Sequence, residues 1–498
     1  MTMSDIGLSG GEERQLELPL WIPGGEIKIT AEASAGGSVF GRDSFSGTLQ
    51  RANLVALMCS RENVCRTAQS EIQFSGSVEE QADKNRGIKF ATLSDPRDEW
   101  WAYSAARGVV VAMPLAGLNS VQRDALEGYL RRGGRVVLVE DEIADPAFLS
   151  AYRKTTPSPH GERVGKGTLF RVSGLSPNTL GNIFTGRNLP GFLGQQENPW
   201  AYKADWLRRC FAARFNFPPL SWILLWLAVY IVSIGILNFA LLRRWRRLEL
   251  GWVSMCGLAL LFSVGLYSFE SRGRPREFRI DNLAAYYLDG RSPLAAADYS
   301  LRISAPERRA VLLSVDDPAI FTDPHRIGVE PSSQIWAEMN RPADRADRLY
   351  EIRLGPPRQT DLSLLKWSFH DMDLEGLHKF SGTVRFVSPN RLRNDTGQHF
   401  GDAVYLDSSA EVFYPLPALA PGDEIQLDTI TPKPMPRTGI VYDNSTLEAL
   451  VNAARLPSAT KGEGVFAGFS DSPVLPVELN IPHQQSAHSL ILVALEQP

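Results

Sequence analysis

The chain has few cysteines and no excess of basic charge. Four cysteines in 498 residues are too few for a disulfide scaffold, and a chain of this length buries several cores without one. Lysine and arginine together number 52 against 56 aspartates and glutamates, which gives a formal net charge of −4. No global positive field is available to gather nucleic acid, so we predict no nucleic-acid partner.

Several catalytic signatures are also missing. The sequence has no Gly-rich Lys loop for phosphates and no His-Glu-x-x-His pair for zinc. Residues 7–11 have the letters of a nucleophile elbow without a strand before them, and residues 363–366 have those of an acylation motif without its partner motifs. Residues 370–373 place polar side chains so close in the chain that they point in different directions, so we interpret them as a solvated loop. We predict no metal ion and no cofactor.

Two long uncharged runs occupy the middle of the chain. Residues 220–242 contain 23 residues without a charge, and residues 250–269 contain 20 more. At about 1.5 Å per residue, each run is long enough to cross a hydrocarbon layer of about 30 Å. The alternative is a buried helix pair of a soluble protein. We predict a two-helix transmembrane hairpin over residues 218–270, with the lipid bilayer as a partner.

The short connection between the runs is rich in arginine. It forces the helices to be antiparallel and leaves both flanking regions on the same side of the membrane. We expect Gly235 to face Gly257, which would allow close helix approach, and Asn238 either to face Ser254 or to lie near a lipid headgroup. The predicted anchors at the membrane interfaces are Trp222, Tyr267, Arg243, Arg244, Arg246 and Arg247.

The orientation of the hairpin depends on where arginine is concentrated. The dense cluster in the turn indicates a cytoplasmic turn, with the large flanking regions outside the cytoplasm. Against this, seven arginines flank the open ends of the hairpin, and residues 1–11 lack the basic and apolar regions of a secretory signal. Two alternatives stay open: the start of the chain lies upstream of Met1, or the flanking regions are cytoplasmic.

Residues 51–200 have the pattern of an α/β domain, after a partial β segment and flexible N-terminus in residues 1–50. Apolar strands at residues 53–58, 88–93, 108–113 and 135–139 indicate a parallel sheet covered on both faces. Asn119 and Gln122 predict a capping box for a helix that Gly133 and Gly134 end. The predicted inward stripe of this helix is Val121, Ala125, Leu126, Tyr129 and Leu130.

Residues 275–498 are predicted to be mainly β. Short alternating strands at residues 383–387, 403–406, 411–414 and 424–427 are typical of a sandwich with one buried face. A late helix at residues 444–455 precedes strands at 464–469 and 489–495. This tail either forms a separate α/β piece or completes an earlier sheet.

Parts of the chain resemble a known family. Residues 96–103, 108–111, 122–129 and 133–137 are similar to the class I glutamine amidotransferase-like domain of large bacterial membrane proteins of unknown function, and residues 243–252 resemble the turn between their paired membrane helices. The resemblance covers most of residues 50–498 by architecture. It implies a multidomain inner-membrane protein with a doubly wound α/β domain, a transmembrane hairpin and a C-terminal β-rich region. It also implies membrane or envelope protein partners, such as AAA ATPase and von Willebrand-domain systems.

The catalytic residues of an amidotransferase are not at the matching positions. Residues 136–139 run into Glu140, Asp141 and Glu142 where the nucleophilic cysteine is expected, and residues 113–115 replace the glycine pair that supplies oxyanion donors. We interpret the His-x-Glu of residues 160–162 as a surface turn. The prediction is a pseudo-enzyme: a membrane-anchored, non-catalytic protein of the cell envelope that acts by protein–protein interaction.

Cys59 is the remaining candidate nucleophile. It follows the first strand of the α/β domain, and a helix N-terminus after it would lower the pKa of its thiol. Cys65 lies only six residues further on, so the two can form a disulfide where the local geometry allows it. We favour a disulfide or inert burial over catalysis.

Acidic residues crowd the carboxyl ends of the predicted strands. Asp95, Glu140, Asp141 and Glu142 lie where open parallel sheets bind ligands. They predict either a plain acidic rim or a site for a small cationic ligand or divalent ion. The alternative function is therefore a ligand-binding or hydrolytic accessory subunit, transporter-associated or amidotransferase-like.

Overall fold

The structure is a computed structural model, and it describes only part of the chain. The described residues are 25–35, 38–49, 53–59, 88–93, 96–104, 106, 108–143, 152, 161–174, 180, 183–184, 220–246, 248–272, 277–315, 317, 320–322, 328–331, 352–353, 358–364, 366, 368–407, 410–435, 450–451, 463–472, 475 and 477–496.

The first described element is an antiparallel hairpin of two strands. Strand β1 (Gly25–Ala35) pairs with β2 (Ser38–Leu49), from Gly25 and Leu49 at the open end to Ala35 and Ser38 at the turn. The partial β segment predicted within residues 1–50 therefore contains two paired strands.

A six-stranded sheet forms the centre of the α/β body, the name used here for residues 53–184. Its strands are β3 (Asn53–Cys59), β4 (Ile88–Thr92), β5 (Gly108–Ala112), β6 (Arg135–Val139), β7 (Glu162–Val164) and β8 (Gly167–Val172). They lie in the order β4-β3-β5-β6-β8-β7, and neighbours are parallel except β7 with β8. Val111 and Leu138 face one core, and Val110 and Val137 face the other. The predicted parallel sheet with both faces covered is confirmed.

Helix α1 (Ser120–Arg131) connects β5 to β6. The Asn119 side chain accepts a hydrogen bond from the Gln122 backbone N–H at 2.8 Å, and the Gln122 side chain accepts one from the Asn119 N–H at 3.2 Å, so the predicted capping box is confirmed. Val121 was wrongly placed in the inward stripe, because its side chain is 53% exposed. Helical periodicity gives the angle of a residue about the axis, but not whether the neighbouring layer extends as far as its turn. A short helix, α2 (Glu140–Ile143), follows β6.

Two apolar helices follow the α/β body. The first runs from α3 (Leu220–Val232) through a π-helical segment (Ser233–Leu237) to α4 (Asn238–Trp245), and α5 (Gly251–Arg272) returns after a 3₁₀ turn (Leu248–Leu250). The stretches Leu224–Trp245 and Gly251–Ser268 are long and apolar enough to cross a membrane. The helices are antiparallel: the rings of Trp226 and Phe262 lie 5.1 Å apart towards the open end, while Leu242 lies beside Gly251 at the turn.

The expected close approach at Gly235 and Gly257 is wrong. A Cβ atom added to either glycine would meet no described atom within 4 Å. Close packing occurs instead at Gly265, where an added Cβ would lie 3.0 Å from the Trp226 ring. The helix spacing is therefore set by large aromatic side chains rather than by a stripe of small residues.

The expected pair of Asn238 and Ser254 is also not formed. The Ser254 hydroxyl donates to the Gly251 carbonyl of its own helix at 2.9 Å. Asn238, which belongs to the first apolar helix, is nonetheless buried, with 6% of its surface exposed.

Residues 277–496 form the β body. Its strands are β9 (Arg279–Leu288), β10 (Leu294–Ala305), β11 (Arg309–Val315), β12 (Phe321–Thr322), β13 (Gly328–Pro331), β14 (Ile352–Arg353), β15 (Arg358–Leu364), β16 (Ser368–Lys379), β17 (Val384–Ser388), β18 (Arg391–Asn394), β19 (Asp402–Asp407), β20 (Val412–Leu416), β21 (Glu424–Gln426), β22 (Lys433–Pro434), β23 (Glu463–Ser470), β24 (Val477–Leu479) and β25 (Gln484–Glu496). The predicted β-rich region is confirmed.

Three sheets make up the described part of the β body. The largest has ten strands in the order β12-β16-β10-β9-β25-β23-β19-β20-β22, with β13 also paired to β16. A second sheet has the order β14-β15-β11-β24, and a third has β17-β18-β21. One core joins them, since it contains Leu301 of the first sheet, Leu313 of the second and Leu392 of the third. Packed sheets of this kind are compatible with the predicted sandwich.

The tail of the chain completes the ten-stranded sheet, which was one of the two alternatives. Strand β25 pairs parallel with β9 on one side and antiparallel with β23 on the other. Of the predicted late helix, only Leu450 and Val451 are described, and both are helical and buried.

The interpretation of residues 370–373 as a solvated loop is wrong. They lie inside β16, which pairs with β10 on one side and with β13 on the other. His370 and Met372 are buried. The segment contains two aspartates and only one apolar residue, so its alternation is too short to indicate a strand from the sequence.

Candidate functional site

The predicted acidic rim lies at the carboxyl end of β6. Glu140 and Asp141 begin helix α2 there with exposed side chains, whereas the Glu142 side chain and all of Asp95 lie outside the described residues. The strand order reverses direction between β3 and β5, which is where a doubly wound sheet forms its ligand crevice. Glu140 and Asp141 are therefore one strand away from the crevice. Among the described side chains, no group of three or more His, Cys, Asp or Glu could hold a metal ion.

Cys59 ends β3, at the crevice itself. It is disulfide-bonded, so it offers no thiolate as a nucleophile. Cys256 is a free, exposed thiol. Cys65, the partner expected from the sequence, lies outside the described residues. Of the interpretations of Cys59, the structure supports the disulfide.

The predicted membrane anchors lie at the two ends of the helix pair. Trp222 and Tyr267 are at the open end, and 50% and 60% of their surfaces are exposed. Arg243, Arg244 and Arg246 are exposed at the turn. Arg247 lies outside the described residues.

A charged cluster that the sequence did not reveal joins the α/β body to the β body. We define the interface charge cluster as the side chains of Arg131, Arg132, Tyr152 and Lys166 from the α/β body and of Asp289, Asp298 and Glu375 from the β body. Arg131 and Arg132 lie at the end of α1, Tyr152 lies between α2 and β7 in the chain, and Lys166 lies in the β7–β8 turn. Asp289 directly follows β9, and Asp298 and Glu375 lie on the paired strands β10 and β16. An apolar contact lies beside them, because a Cβ on Gly128 would be 2.5 Å from Leu377.

The sheet register places two carboxylates of the cluster side by side. Asp298 on β10 is directly opposite Glu375 on β16, and like charges in this position repel each other. Arg132 lies between them: its Nη1 is 2.6 Å from Asp298 Oδ1, and its Nη2 is 2.6 Å from Glu375 Oε2. Its guanidinium also lies 5.4 Å from the centre of the Trp100 ring. The β body therefore needs a cation here, and the α/β body supplies it.

The Asp289 carboxylate forms a second ion pair, with Arg131, and accepts further hydrogen bonds. Its Oδ2 accepts hydrogen bonds from Arg131 Nη1 at 3.0 Å, from the Tyr152 hydroxyl at 2.6 Å and from the Gly165 backbone N–H at 3.2 Å. Arg131 is 1% exposed, so this charge is almost fully removed from water. Burial alone would lower the pKa of Arg131, but Asp289 and Glu127 outweigh it and keep the guanidinium charged. A buried pair of this kind is costly to break from one side.

Lys166 adds a third cation, next to Asp298. Its ammonium group donates to Asp298 Oδ2 and lies 4.1 Å from the centre of the Tyr287 ring. Burial lowers the pKa of Lys166 to about 8, with Asp298 opposing this shift and Arg132 adding to it. Burial alone would raise the pKa of Asp298, but Lys166 and Arg132 hold that pKa well below its usual range.

Raising the pH from about 7.5 to about 9.5 is expected to stabilise the wild type relative to Lys166→Met by about 2 kcal/mol. The pKa of Lys166 falls from 10.5 to about 8 on folding. Between these values the unfolded chain binds more protons than the folded chain, so this group makes stability rise with pH. Urea unfolding of the detergent-solubilised chain at both pH values measures the difference. The control Lys379→Met, at an exposed position of β16, should keep the wild-type slope, and parallel slopes for wild type and Lys166→Met would contradict the burial of this charge.

Comparisons with known proteins give no family for the chain. No protein-family model matches it, and no curated protein matches it. Among solved structures, the yeast delta-COP-I mu-homology domain is 6% identical, with a TM-score of 0.23, over 44% of this chain and 98% of that one. An M1 zinc metallopeptidase from Deinococcus radiodurans is 10% identical over 25% of this chain and 28% of that one, with a TM-score of 0.14. The pilus backbone of Streptococcus pneumoniae is 6% identical over 44% and 59%, with a TM-score of 0.13.

TM-scores this low carry no argument about the fold or the function of this chain. The functional interpretation therefore depends on the residues themselves. A partial signal for the interface charge cluster was present in the sequence: Arg131 and Arg132 end α1, where cations favour the helix dipole. That local explanation is sufficient by itself, so it gave no reason to look for carboxylates more than a hundred residues away.

Proposed function

We propose that the chain is a membrane-anchored, non-catalytic protein of the bacterial cell envelope, which acts by protein–protein interaction through its α/β and β bodies. The observation that carries the proposal is the surface of the helix pair. In the described part of the chain, every exposed large apolar side chain except Val121 and Val387 lies on these helices or their turn. A soluble protein would cover such a surface, whereas a bilayer solvates it.

The contact between the two bodies supports a hairpin rather than a single span. Arg131 and Arg132 precede the helix pair in the chain, and Asp289 and Asp298 follow it. When residues before a membrane segment contact residues after it, both groups lie on the same side of the bilayer. Two antiparallel crossings would return the chain to that side, and the contacts between the two helices support this arrangement.

Two further observations support a bacterial inner-membrane location with periplasmic bodies. Cys59 is disulfide-bonded, and disulfides persist in the periplasm but are rare in the cytosol. The exposed arginines of the turn fit a cytoplasmic turn by the positive-inside rule. The partners in this proposal are membrane or envelope proteins, with an AAA ATPase or von Willebrand-domain system implied by the family resemblance.

The non-catalytic part of the proposal rests on the crevice of the α/β sheet. An amidotransferase-like domain needs a free cysteine there. In this chain β6 continues into Glu140, and the thiol of Cys59 is used in a disulfide.

The second candidate function is ligand binding at the strand ends. It is favoured by the exposed carboxylates of Glu140 and Asp141 at the carboxyl end of β6. Such a protein would be an accessory subunit that uses its α/β body to hold a small cationic ligand.

Reporter fusions are expected to place the turn and the bodies on opposite sides of the membrane. Alkaline phosphatase, which is active only in the periplasm, should be active when fused after residue 350 and inactive when fused after residue 247. Green fluorescent protein should fluoresce only in the fusion after residue 247. Activity of both phosphatase fusions, or of neither, would contradict the hairpin.

Complementation of a deletion strain separates the two candidate functions. The double variant Glu140→Ala and Asp141→Ala is expected to restore the phenotype fully if the bodies act as interaction surfaces. If the double variant behaves like the deletion while its protein level is normal, the non-catalytic proposal is wrong and ligand binding is favoured. Asp402→Ala, an exposed carboxylate of β19, is the matched control.

A further inference from the structure

The turn of the helix pair carries positive charge that no described residue neutralises. Residues 243–251 contain four arginines and one acidic residue, Glu249. Arg243, Arg244 and Arg246 are exposed, and none forms an ion pair or a side-chain hydrogen bond in the described part of the chain. Glu249 is exposed but does not bind them.

Several arginines elsewhere in the described part of the chain are paired with acidic residues. Arg131 and Arg132 are bound by carboxylates at the interface charge cluster. The exposed arginines of strands β17 and β18, which are Arg385, Arg391 and Arg393, are bound by Asp395 or Glu424 at 2.8 to 3.6 Å. The exposed Arg308 also has no ion pair or side-chain hydrogen bond among the described residues, but the turn differs because it places three such arginines within four positions of the chain.

The backbone holds the arginines of the turn close together. Helix α4 ends at Trp245, and Arg246 takes the left-handed conformation with φ of 55°. Its backbone N–H donates to the Arg243 carbonyl at 3.2 Å. A Cβ on Gly251 would lie 3.7 Å from Leu242, so the second helix starts directly beside the end of the first. The backbone positions that carry these arginines are thus held in one compact cap.

Aromatic side chains show the depth at which this cap lies. Trp245 and Trp252 are 62% and 72% exposed on either side of the turn. Tryptophan prefers the headgroup level of a bilayer, where its ring is in an apolar layer and its N–H is in a wet one. In a membrane-anchored chain the arginines lie at the same level as the phosphates of the lipids.

We infer that Arg243, Arg244 and Arg246 form a binding site for the phosphate of anionic phospholipids in the leaflet that faces the turn. The inference rests on the proposed membrane anchorage. A guanidinium binds two phosphate oxygens at once, and charge-assisted hydrogen bonds of this type are stronger than neutral ones. A basic segment beside a membrane helix gains about 1 kcal/mol per arginine from an anionic surface. The lipid would supply the anions that the described residues do not place at the turn.

The test measures lipid binding by the full chain in detergent, where the orientation of the hairpin does not matter. Dioleoyl phosphatidylglycerol or dioleoyl phosphatidylcholine is titrated, and bound lipid is counted by native mass spectrometry. Wild type should bind phosphatidylglycerol at least about tenfold more tightly than phosphatidylcholine. Replacing Arg243, Arg244 and Arg246 by glutamine should weaken phosphatidylglycerol binding about a hundredfold, the equivalent of about 1 kcal/mol for each arginine.

Two further variants separate a site from a general effect of charge. Replacing the same arginines by lysine should weaken binding by less than about tenfold, because the charge stays and only the two-oxygen geometry is lost. Replacing Arg385, Arg391 and Arg393 by glutamine makes the same change of net charge in the β body and should leave lipid binding unchanged. Equal weakening by the two glutamine triples would overturn the site, as would unchanged binding in the turn triple.

The remaining outcomes distinguish a lipid phosphate from free phosphate. They also distinguish failure of the lipid site from failure of the proposed membrane anchorage. Displacement of phosphatidylglycerol by inorganic phosphate at equal concentration would overturn the lipid assignment in favour of a phosphate site, and no displacement supports the lipid. Extraction of the wild-type chain from membranes by alkaline carbonate would mean that the proposed anchorage itself fails. A chain that resists extraction, and whose turn triple binds phosphatidylglycerol as tightly as wild type, would overturn only the lipid site.

Discussion

Replacing Arg132 by methionine is expected to lower the free energy of unfolding by about 3–5 kcal/mol, the usual cost of breaking a buried ion pair from one side. The side chain of Arg132 is only 7% exposed and binds both Asp298 and Glu375. Methionine keeps much of its apolar packing on Trp100 but leaves the two carboxylates facing each other across β10 and β16. Urea unfolding of the detergent-solubilised chain measures the loss.

The cause of this loss can be isolated with a second substitution. Adding Glu375→Gln to Arg132→Met removes the repulsion between the facing carboxylates and should recover about 1 kcal/mol. Glu375→Gln in the wild-type background should instead be destabilising, because Arg132 then loses a partner. The sign of the Glu375 effect therefore reverses between the two backgrounds, and an effect of the same sign in both would show that the two side chains are not coupled.

A matched control separates the interface from arginine substitutions in general. Arg309 forms an ion pair with Glu307 at 3.5 Å, and both side chains are more than half exposed. Arg309→Met should change the free energy of unfolding by less than about 0.5 kcal/mol, since water already screens this pair. A loss similar to that of Arg132→Met would contradict the special role of the interface charge cluster.

Placing arginine at both Leu227 and Ile231 is expected to remove the chain from the membrane. Both side chains are at least half exposed on the first apolar helix, one turn apart and near the middle of the run. An arginine at the centre of a membrane helix costs about 3 kcal/mol, so the pair costs about 6 kcal/mol, or roughly four powers of ten in the insertion equilibrium. Membrane fractionation after carbonate washing measures this: the wild type should be in the resistant pellet, and the variant should be in the soluble or aggregated fraction.

The control for this experiment uses the exposed apolar residues of the two bodies. Val121→Arg and Val387→Arg add the same charge outside the helix pair, and fractionation should stay as in the wild type. If the Leu227 and Ile231 variant also stays in the resistant pellet, the first helix is not in contact with lipid. The hairpin would then have to be covered by protein instead.

Elements with a local cause could be predicted from the sequence. The strands at residues 53–59 and Arg135–Val139 follow from continuous apolar runs, and the capping box follows from two residues three positions apart. Val121 shows the limit of this reasoning. The same periodicity that correctly places Leu126 and Leu130 inside also places Val121 inside, because it does not describe the layer on which the helix packs.

The packing of the apolar helices shows a second limit. Small residues at Gly235 and Gly257 predicted a close approach there, yet both glycines have open space beside them. The contact that forms is between Trp226 and Phe262, with the Tyr230 ring 5.2 Å from the same phenylalanine. The face on which two helices pack is set by all the contacts between them together. A single motif in one helix therefore does not predict it.

Some features of the candidate site could likewise be predicted from the sequence, and others could not. The exposed positions of Glu140 and Asp141 could be predicted, because carboxylates directly after a buried strand lie at its end. The disulfide at Cys59 was one of several alternatives, and spacing alone did not choose between them. The acidic rim and the crevice were expected together, but the strand order separates them by one strand.

Residue types and their spacing along the chain were by themselves enough to determine the two membrane-length helices, the arginine turn and the apolar strands of the α/β body, since each of these is a local feature of the chain. Only the tertiary structure showed that Arg132 lies between Asp298 and Glu375, and that Asp289 holds Arg131. The physical reason is that these partners are separated by more than 150 residues, so their attraction exists only after two independently formed sheets have met.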